Sequence, residues 1–131
     1  MALKLVVVTP EKTVVNSQAD EVQMPGALGY LGILPGHAPL ITQLATGVLS
    51  YRNGGAEKRL AVSAGFAEVA SGTVTVLADL AEEPSQIDVA AAQQDRARAE
   101  ADLQAATPET LEDIRTRVAL AEARLQVAGK G

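Results

Sequence analysis

The first half of the chain alternates short apolar runs with turn signals, a pattern typical of β-strands. The clearest run is Leu3–Thr9, which ends at a Pro-Glu pair, and the weaker candidates are Thr13–Asn16 and Glu21–Met24. All but two of the 11 glycines lie at or before Gly72. Many short strands with glycine turns between them predict an antiparallel sandwich or barrel.

Two hairpins are predicted from their turn residues. The first joins Gly47–Arg52 to Arg59–Ser63 across the Asn-Gly-Gly sequence at 53–55, and the second joins Phe66–Ala70 to Thr73–Ala78 across Ser-Gly at 71–72. Asn-Gly supplies the positive φ that a tight hairpin turn requires. The hairpins support an antiparallel arrangement.

After Glu82-Glu83-Pro84-Ser85, the spacing of apolar residues changes to the period of about 3.6 residues that is typical of helices. Asp88 is a candidate cap for a helix that runs to about Ala106, and Thr107-Pro108 then predicts the cap and first position of a second helix. The short connection predicts an antiparallel hairpin. One apolar stripe of the second helix contains Ile114, Val118, Ala121 and Leu125.

The predicted helical hairpin is rich in alanine and is expected to dock weakly. Alanine favours helix, but it buries few methylene groups, and each contributes roughly 0.8 kcal/mol. Leu120 and Val127 lie opposite the Ile114 stripe. This second apolar face requires a cover, either the β domain or a partner protein.

Composition narrows the functional classes. The 131-residue chain has 47% hydrophobic and 2% aromatic residues, so its core is built from aliphatic side chains. The net charge of −5 argues against nucleic-acid binding. Cysteine is absent, and no apolar run is long enough for a membrane span. The run Met1–Val8 is too short for a signal-peptide core and is interpreted as a strand.

No catalytic constellation is evident. The glycines at 26, 29, 32 and 36 do not form a phosphate-binding motif, and they are interpreted as turn formers. His37 is the only histidine and lies in a proline-bracketed turn, while Glu82-Glu83 is interpreted as a solvated linker. The sequence therefore predicts neither a catalytic residue nor a metal site.

The arginines of the second half are more informative. Three of them have an acidic residue three or four positions away on the same helix: Arg98 with Asp102, Arg115 with Glu112, and Arg117 with Asp113. Arg124 has no such partner and borders the face of Leu120 and Val127. It is either a solvated cation or a contact for an acidic, partly apolar surface.

Four segments together carry a family resemblance: Met24–Leu40, Gly65–Val69, Val74–Asp79 and Ile87-Asp88. The first contains Gly-Ile-Leu-Pro-Gly-His-Ala-Pro, a specific signature. These segments occur in the same order along the whole chain as in the epsilon-subunit family of bacterial-type F-type ATP synthases, and together they resemble that family. The resemblance implies a β-sandwich domain over residues 1–84 and a C-terminal α-helical hairpin over 85–131, the same fold that the periodicity predicts.

The resemblance also implies a function. Members are non-catalytic rotor subunits whose sandwich binds the gamma subunit and contacts the membrane-embedded c ring through a loop, here at Gly29, Tyr30 and Leu31. Such a protein would lie at the cytoplasmic face of the bacterial plasma membrane as a peripheral part of the complex, and could be monomeric when isolated. The family's helical hairpin can extend along gamma and inhibit ATP hydrolysis.

Particular residues follow from the same resemblance. Arg115, Arg117 and Arg124 are the residues available to contact an acidic loop of the catalytic beta subunit. The positions matching the ATP-contacting positions of ATP-sensing members are Glu82, Ile87, Asp88, Arg98 and Arg124. However, Ala91 stands where those members have arginine, so weak or absent ATP binding and no resident cofactor are expected. The alternative function is a free-standing ATP-sensing or protein-interaction module.

Overall fold

The structure is a computed structural model that describes residues 2–129. The outermost residues of the two expected domains, Met1 and Lys130-Gly131, lie outside the described part. The strands are β1 (Leu3–Val8), β2 (Thr13–Ala19), β3 (Glu21–Gly26), β4 (Gly29–Ile33), β5 (Leu40–Gln43), β6 (Gly47–Asn53), β7 (Ala56–Ala70) and β8 (Thr73–Glu82). A short 3-10 turn (Pro84–Gln86) leads to helices α1 (Val89–Gln104) and α2 (Leu111–Val127).

The strands pair in the order β2-β1-β8-β7-β6-β3-β4, and β5 also pairs with β7. All pairs are antiparallel except β1 and β8, which run parallel from the Lys4–Thr73 pair to the Val8–Leu77 pair. No turn sequence could reveal this exception, because the two strands are far apart in the chain. The predicted β-sandwich followed by two helices is confirmed, with one parallel pair added.

The sandwich is filled by aliphatic side chains. On β1 the residues Leu3, Leu5 and Val7 are buried, and Lys4 between them is exposed. The other largest fully buried side chains of the sandwich are Met24, Ile33, Leu49, Leu60, Val22, Val62, Val74 and Val76. Since these side chains alternate along their strands, each strand directs one row into the core.

The buried face of β7 changes part-way along the strand. Leu60 and Val62 are buried in its first half, whereas Ala67 and Val69 are buried in its second half. The buried positions change from even to odd numbers, which transfers the row from one face to the other. Phe66 consequently lies on the outside and is 54% exposed.

The change of face occurs at two residues with positive φ, Ala64 (57°) and Gly65 (114°). A Cβ on Gly65 would lie 1.8 Å from the carbonyl oxygen of Leu77, so this position requires glycine. The sequence predicts two separate strands here, Arg59–Ser63 and Phe66–Ala70. The structure has one strand, because β8 pairs with both halves in a constant register.

The glycine-rich segment also forms more strand than expected. β4 pairs with β3 from Val22–Ile33 to Gly26–Gly29, although these glycines are interpreted above as turn formers. The turn itself is confined to Ala27-Leu28. The sequence does not reveal this strand, because glycine generally disfavours extended structure. Here the pairing with β3 outweighs that preference.

The helix boundaries differ slightly from those expected. Asp88 caps α1 as predicted, since its Oδ1 accepts a hydrogen bond from the Ala91 amide at 3.0 Å. α2 begins at Leu111 rather than at Pro108. One separate turn comes first, in which the Thr107 carbonyl accepts bonds from the amides of Thr110 and Leu111, both at 3.0 Å. Among the described residues, neither helix is long and apolar enough to cross a membrane.

The two helices pack against each other through small residues. Ala92 and Ala99 are the buried residues of α1, and they face the α2 stripe that contains Ile114, Ala121 and Leu125. Leu103, near the end of α1, is 38% exposed. The α1 side of this interface is therefore built from alanine, whereas α2 also contributes Ile114 and Leu125.

Candidate functional site

The seam between α2 and the sandwich covers the second apolar face of the hairpin. Ala123 and Val127 of α2 form a buried cluster with Ala61 of β7, and the partly buried Val48 and Ile87 pack at its edge. Of the two covers that the sequence allows, the β domain is the one found here. The cluster is small, because two of its three buried members are alanines.

Arg124 lies in the same seam and joins three elements. Its Nε donates to Glu82 Oε1 at 2.7 Å, and its Nη2 donates to Glu82 Oε2 at 3.1 Å. Its Nη1 also lies 4.0 Å from Asp95 Oδ2 on α1. The side chains of Arg124 and Glu82 are only 23% and 24% exposed. This two-pronged contact connects α2 to the end of β8.

The candidate ATP-contacting residues make different kinds of contact within the folded chain. Glu82 and Arg124 bind each other across the seam, while Ile87 packs in the apolar cluster. Asp88 caps α1, and its bonded partner is the amide of Ala91, whose side chain offers only a methyl group.

Arg98 lies on α1 with an exposed side chain. Its expected partner Asp102 instead forms an ion pair with Arg117 of α2, with Nη2 and Oδ2 3.0 Å apart, so the predicted Arg117–Asp113 pair is also replaced. Arg115 contacts Glu112 at 3.4 Å, as predicted. The contacts of Arg115 and Arg117 thus stay within the hairpin.

The expected c-ring loop lies at one end of the β3–β4 hairpin. Leu28 forms the fully exposed tip, followed by Gly29 and Tyr30 on the solvent side and the half-buried Leu31. The Tyr30 hydroxyl accepts a hydrogen bond from the Val48 amide at 3.1 Å. The loop is thereby tied to the start of β6 and presents an apolar tip.

The absence of a side chain at Gly47 makes room for the hydrogen bond between Tyr30 and Val48. A Cβ at Gly47 would lie 2.9 Å from the Tyr30 hydroxyl oxygen and 3.0 Å from Cβ of Pro25. A side chain there would displace the tyrosine. The resemblance places Tyr30 in the expected c-ring loop, but it does not reveal this long-range hydrogen-bond partner.

An exposed apolar patch occupies the outer face of the sheet, and we call Ile41, Phe66 and Leu77 the outer patch. Phe66 and Leu77 pair directly across β7 and β8, and Ile41 on β5 is diagonal to Phe66 on the same face. They are 72%, 54% and 53% exposed, in chain order. Sequence reasoning missed this patch, since its outward direction depends on the change of face at Gly65.

A cleft at the C-terminal end of α2 adjoins the seam. Its lining includes Tyr51, Arg59, Glu83 and Gln126. Burial raises the pKa of the Tyr51 phenol above its ordinary 10.0, and the nearby charge of Glu83 raises it further. Because an ordinary phenol is already protonated at neutral pH, the shift affects its protonation only in alkaline solution.

Comparison with protein families assigns both parts of the chain. Residues 2–84 match the family described as "ATP synthase, Delta/Epsilon chain, beta-sandwich domain", and residues 85–129 match "ATP synthase, Delta/Epsilon chain, long alpha-helix domain". The chain belongs to the ATP synthase delta/epsilon-chain family. The resemblance noted in the sequence is thereby confirmed.

Bacterial relatives of this family match over nearly the whole chain. The ATP synthase epsilon chain of Moorella thermoacetica is 47% identical over 131 residues, covering 98% of this chain and 97% of the relative. That of Geobacter sp. strain M21 is 45% identical over 130 residues, covering 98% and 94%. The chain therefore groups with bacterial epsilon chains.

Two solved ATP synthase structures share the fold. A chain in the Euglena gracilis mitochondrial OSCP/F1/c-ring structure aligns with a TM-score of 0.81 at 22% identity, covering 97% of this chain and 81% of that one. A chain in the Tetrahymena thermophila central stalk/c-ring structure aligns with a TM-score of 0.66 at 14% identity, covering 98% and 97%. At these identities the likeness shows the fold alone.

Proposed function

We propose that this chain is a non-catalytic central-stalk subunit of a proton-translocating F-type ATP synthase. In this role it couples rotation of the c ring to the catalytic head through the gamma subunit. The observation that carries the proposal is the outer patch, which leaves three large apolar side chains in solvent on a member of this family. Such a cluster is typical of a protein–protein contact.

The two partners of the sandwich are assigned to different surfaces. The outer patch binds gamma, because its aromatic and aliphatic side chains offer a flat apolar contact. The loop at Gly29, Tyr30 and Leu31 faces the c ring, with Leu28 at its tip. The chain then lies at the cytoplasmic face of the bacterial plasma membrane, peripheral to it, and is a monomer when isolated.

Co-purification with a tagged gamma subunit tests this assignment. Leu77→Asp places a charge in the outer patch and should abolish recovery with gamma, whereas Leu103→Asp on the exposed side of α1 should leave recovery unchanged. Leu28→Asp should retain gamma and lose the c ring. Equal recovery of gamma with Leu77→Asp and the unmodified chain would overturn the proposal.

The helical hairpin is proposed to inhibit ATP hydrolysis when it extends along gamma. Arg115, Arg117 and Arg124 would then face an acidic loop of the beta subunit. Arg124→Ala should relieve inhibition more than Arg117→Ala, since Arg124 borders the apolar face that becomes available for contact. Equal inhibition by the Arg124 variant and the unmodified chain in an ATPase assay would contradict this role.

ATP binding is proposed to be weak or absent. Ala91 replaces an arginine, and each lost charge-assisted hydrogen bond removes roughly 1.5–3 kcal/mol. Glu82 and Arg124 are moreover bonded to each other. The alternative of a free-standing ATP sensor loses support for the same reasons. Calorimetry should detect no micromolar ATP affinity, and Ala91→Arg should raise whatever affinity exists; micromolar affinity in the unmodified chain would refute the proposal.

A further inference from the structure

The hairpin contributes Arg124 to the ionic contact across the seam. Among the ion pairs of the described residues, Arg124–Glu82 is the one that joins the hairpin to the sandwich. Arg117–Asp102 and Arg115–Glu112 lie within the hairpin and move with it. Of the three arginines proposed for inhibition, only Arg124 changes its contacts when the hairpin undocks.

This pair carries a large share of the docking free energy. An ion pair in which a carboxylate accepts two guanidinium N–H groups is stronger than one with a single contact, and partial burial reduces the screening of the pair by salt. The apolar part of the seam is also small, with Val127 as the largest of the three residues in its buried cluster. Undocking therefore depends on separating Arg124 from Glu82.

We infer that Glu82 is an ionic latch that competes with any acidic partner surface for Arg124. One guanidinium cannot bind Glu82 in the docked hairpin and a distant carboxylate in the extended hairpin at the same time. Arg124 thus stabilises both states, and Glu82 sets the balance between them. The latch stands on the geometry alone, while the competition rests on the proposed inhibitory function.

The latch is tested first in the isolated full chain. Because the chain has no cysteine, Glu11→Cys and Gln104→Cys accept a fluorophore pair that reports the distance between sandwich and hairpin. Glu82→Gln and Arg124→Gln should each raise the ratio of undocked to docked hairpin about ten-fold. The charge reversal Glu82→Arg with Arg124→Glu should restore docking towards that of the unmodified chain.

Matched controls separate the latch from a general loss of charge. Glu112→Gln removes a carboxylate that contacts only Arg115 within α2, and Arg52→Gln breaks a pair with Glu21 inside the sandwich. Neither should change docking. The latch is refuted if Glu82→Gln docks like the unmodified chain, or if Glu112→Gln undocks equally.

The competition is tested in the assembled ATPase. Glu82→Gln frees Arg124 and should strengthen inhibition of ATP hydrolysis several-fold, whereas Arg124→Gln undocks the hairpin equally but should weaken inhibition. Opposite effects of these two variants support competition. If both variants undock the isolated hairpin but leave ATPase activity unchanged, the latch stands, and the proposed inhibitory function fails instead.

Discussion

The sandwich and the helical hairpin are packed by different side chains. The sandwich buries long aliphatic residues such as Leu5, Leu49 and Val76 completely. The hairpin faces it through Ala123 and Val127, and α1 packs on α2 through its buried alanines, against Ile114, Ala121 and Leu125. Since the free energy of burial grows with apolar area, we expect the hairpin to dock on the sandwich more weakly than the sandwich core packs together.

Polar contacts follow the same division. Arg52–Glu21 joins β6 to β3 and Arg59–Glu57 lies within β7, whereas Arg124–Glu82 crosses the seam. A conformational switch requires two states separated by only a few kcal/mol. Among the described residues, the seam consists of a few apolar groups and the Arg124–Glu82 pair, and it meets that requirement because it can be broken without disturbing either body.

The largest expected effect comes from the sandwich core. Leu49→Ala removes a fully buried side chain and should lower the free energy of unfolding by about 3 kcal/mol. Urea denaturation followed by circular dichroism measures it. Leu103→Ala on the outside of α1 is the control and should cost less than about 0.5 kcal/mol. Similar losses for both variants would contradict the division between the two bodies.

A smaller effect is expected at the change of face in β7. Gly65→Ala places a methyl group against the Leu77 carbonyl and should cost about 2 kcal/mol of unfolding free energy. Gly72→Ala is the matched control, since its φ is also positive but nothing lies within 4 Å of the added Cβ. It should cost only about 1 kcal/mol. Equal losses in urea denaturation would show that the close approach to Leu77 is unimportant.

Removing apolar area from the seam should affect docking but not the sandwich. Val127→Ala deletes about two methylene equivalents, so the docking free energy should fall by about 1.5 kcal/mol. The fluorophore pair described above measures docking, and the urea midpoint of the sandwich should remain unchanged. A fall in that midpoint as large as the change in docking would mean that the two bodies unfold as one.

The smallest effect concerns pH. Because the pKa of Tyr51 is raised in the folded chain by burial and by Glu83, the folded state holds this proton more tightly than the unfolded state does. The resulting stability is present below pH 10.0 and is lost as the pH rises through the folded-state pKa. Tyr51→Phe should therefore show a weaker fall in stability above pH 10.0 in urea titrations. Identical pH profiles would contradict the effect.

The parts of the fold predicted from sequence are those with local signals. Asn-Gly at 53–54 and Ser-Gly at 71–72 produce hairpins, and Asp88 caps a helix as expected. The parallel pairing of β1 with β8 and the strand β4 depend on distant partners. No local pattern specifies such partners, so the sequence alone could not supply them.

The same limit applies to the candidate site. The spacing shows that Arg124 has no acidic partner within its helix, but its actual partner Glu82 is 42 residues away. Arg117 likewise pairs with Asp102 on the other helix and not with Asp113 on its own helix. Sequence spacing describes one helix at a time, whereas side-chain pairing is decided by which elements pack together.

Amide hydrogen exchange of the isolated full chain, measured at increasing urea concentrations below the unfolding transition, tests most directly whether the hairpin opens independently of the sandwich. We expect amides of α1 and α2 to exchange through an opening that costs several kcal/mol less than global unfolding and depends only weakly on urea. Amides in β7 and β8 should exchange only through global unfolding. Equal free energies and equal urea dependence for α2 and β7 would contradict the account.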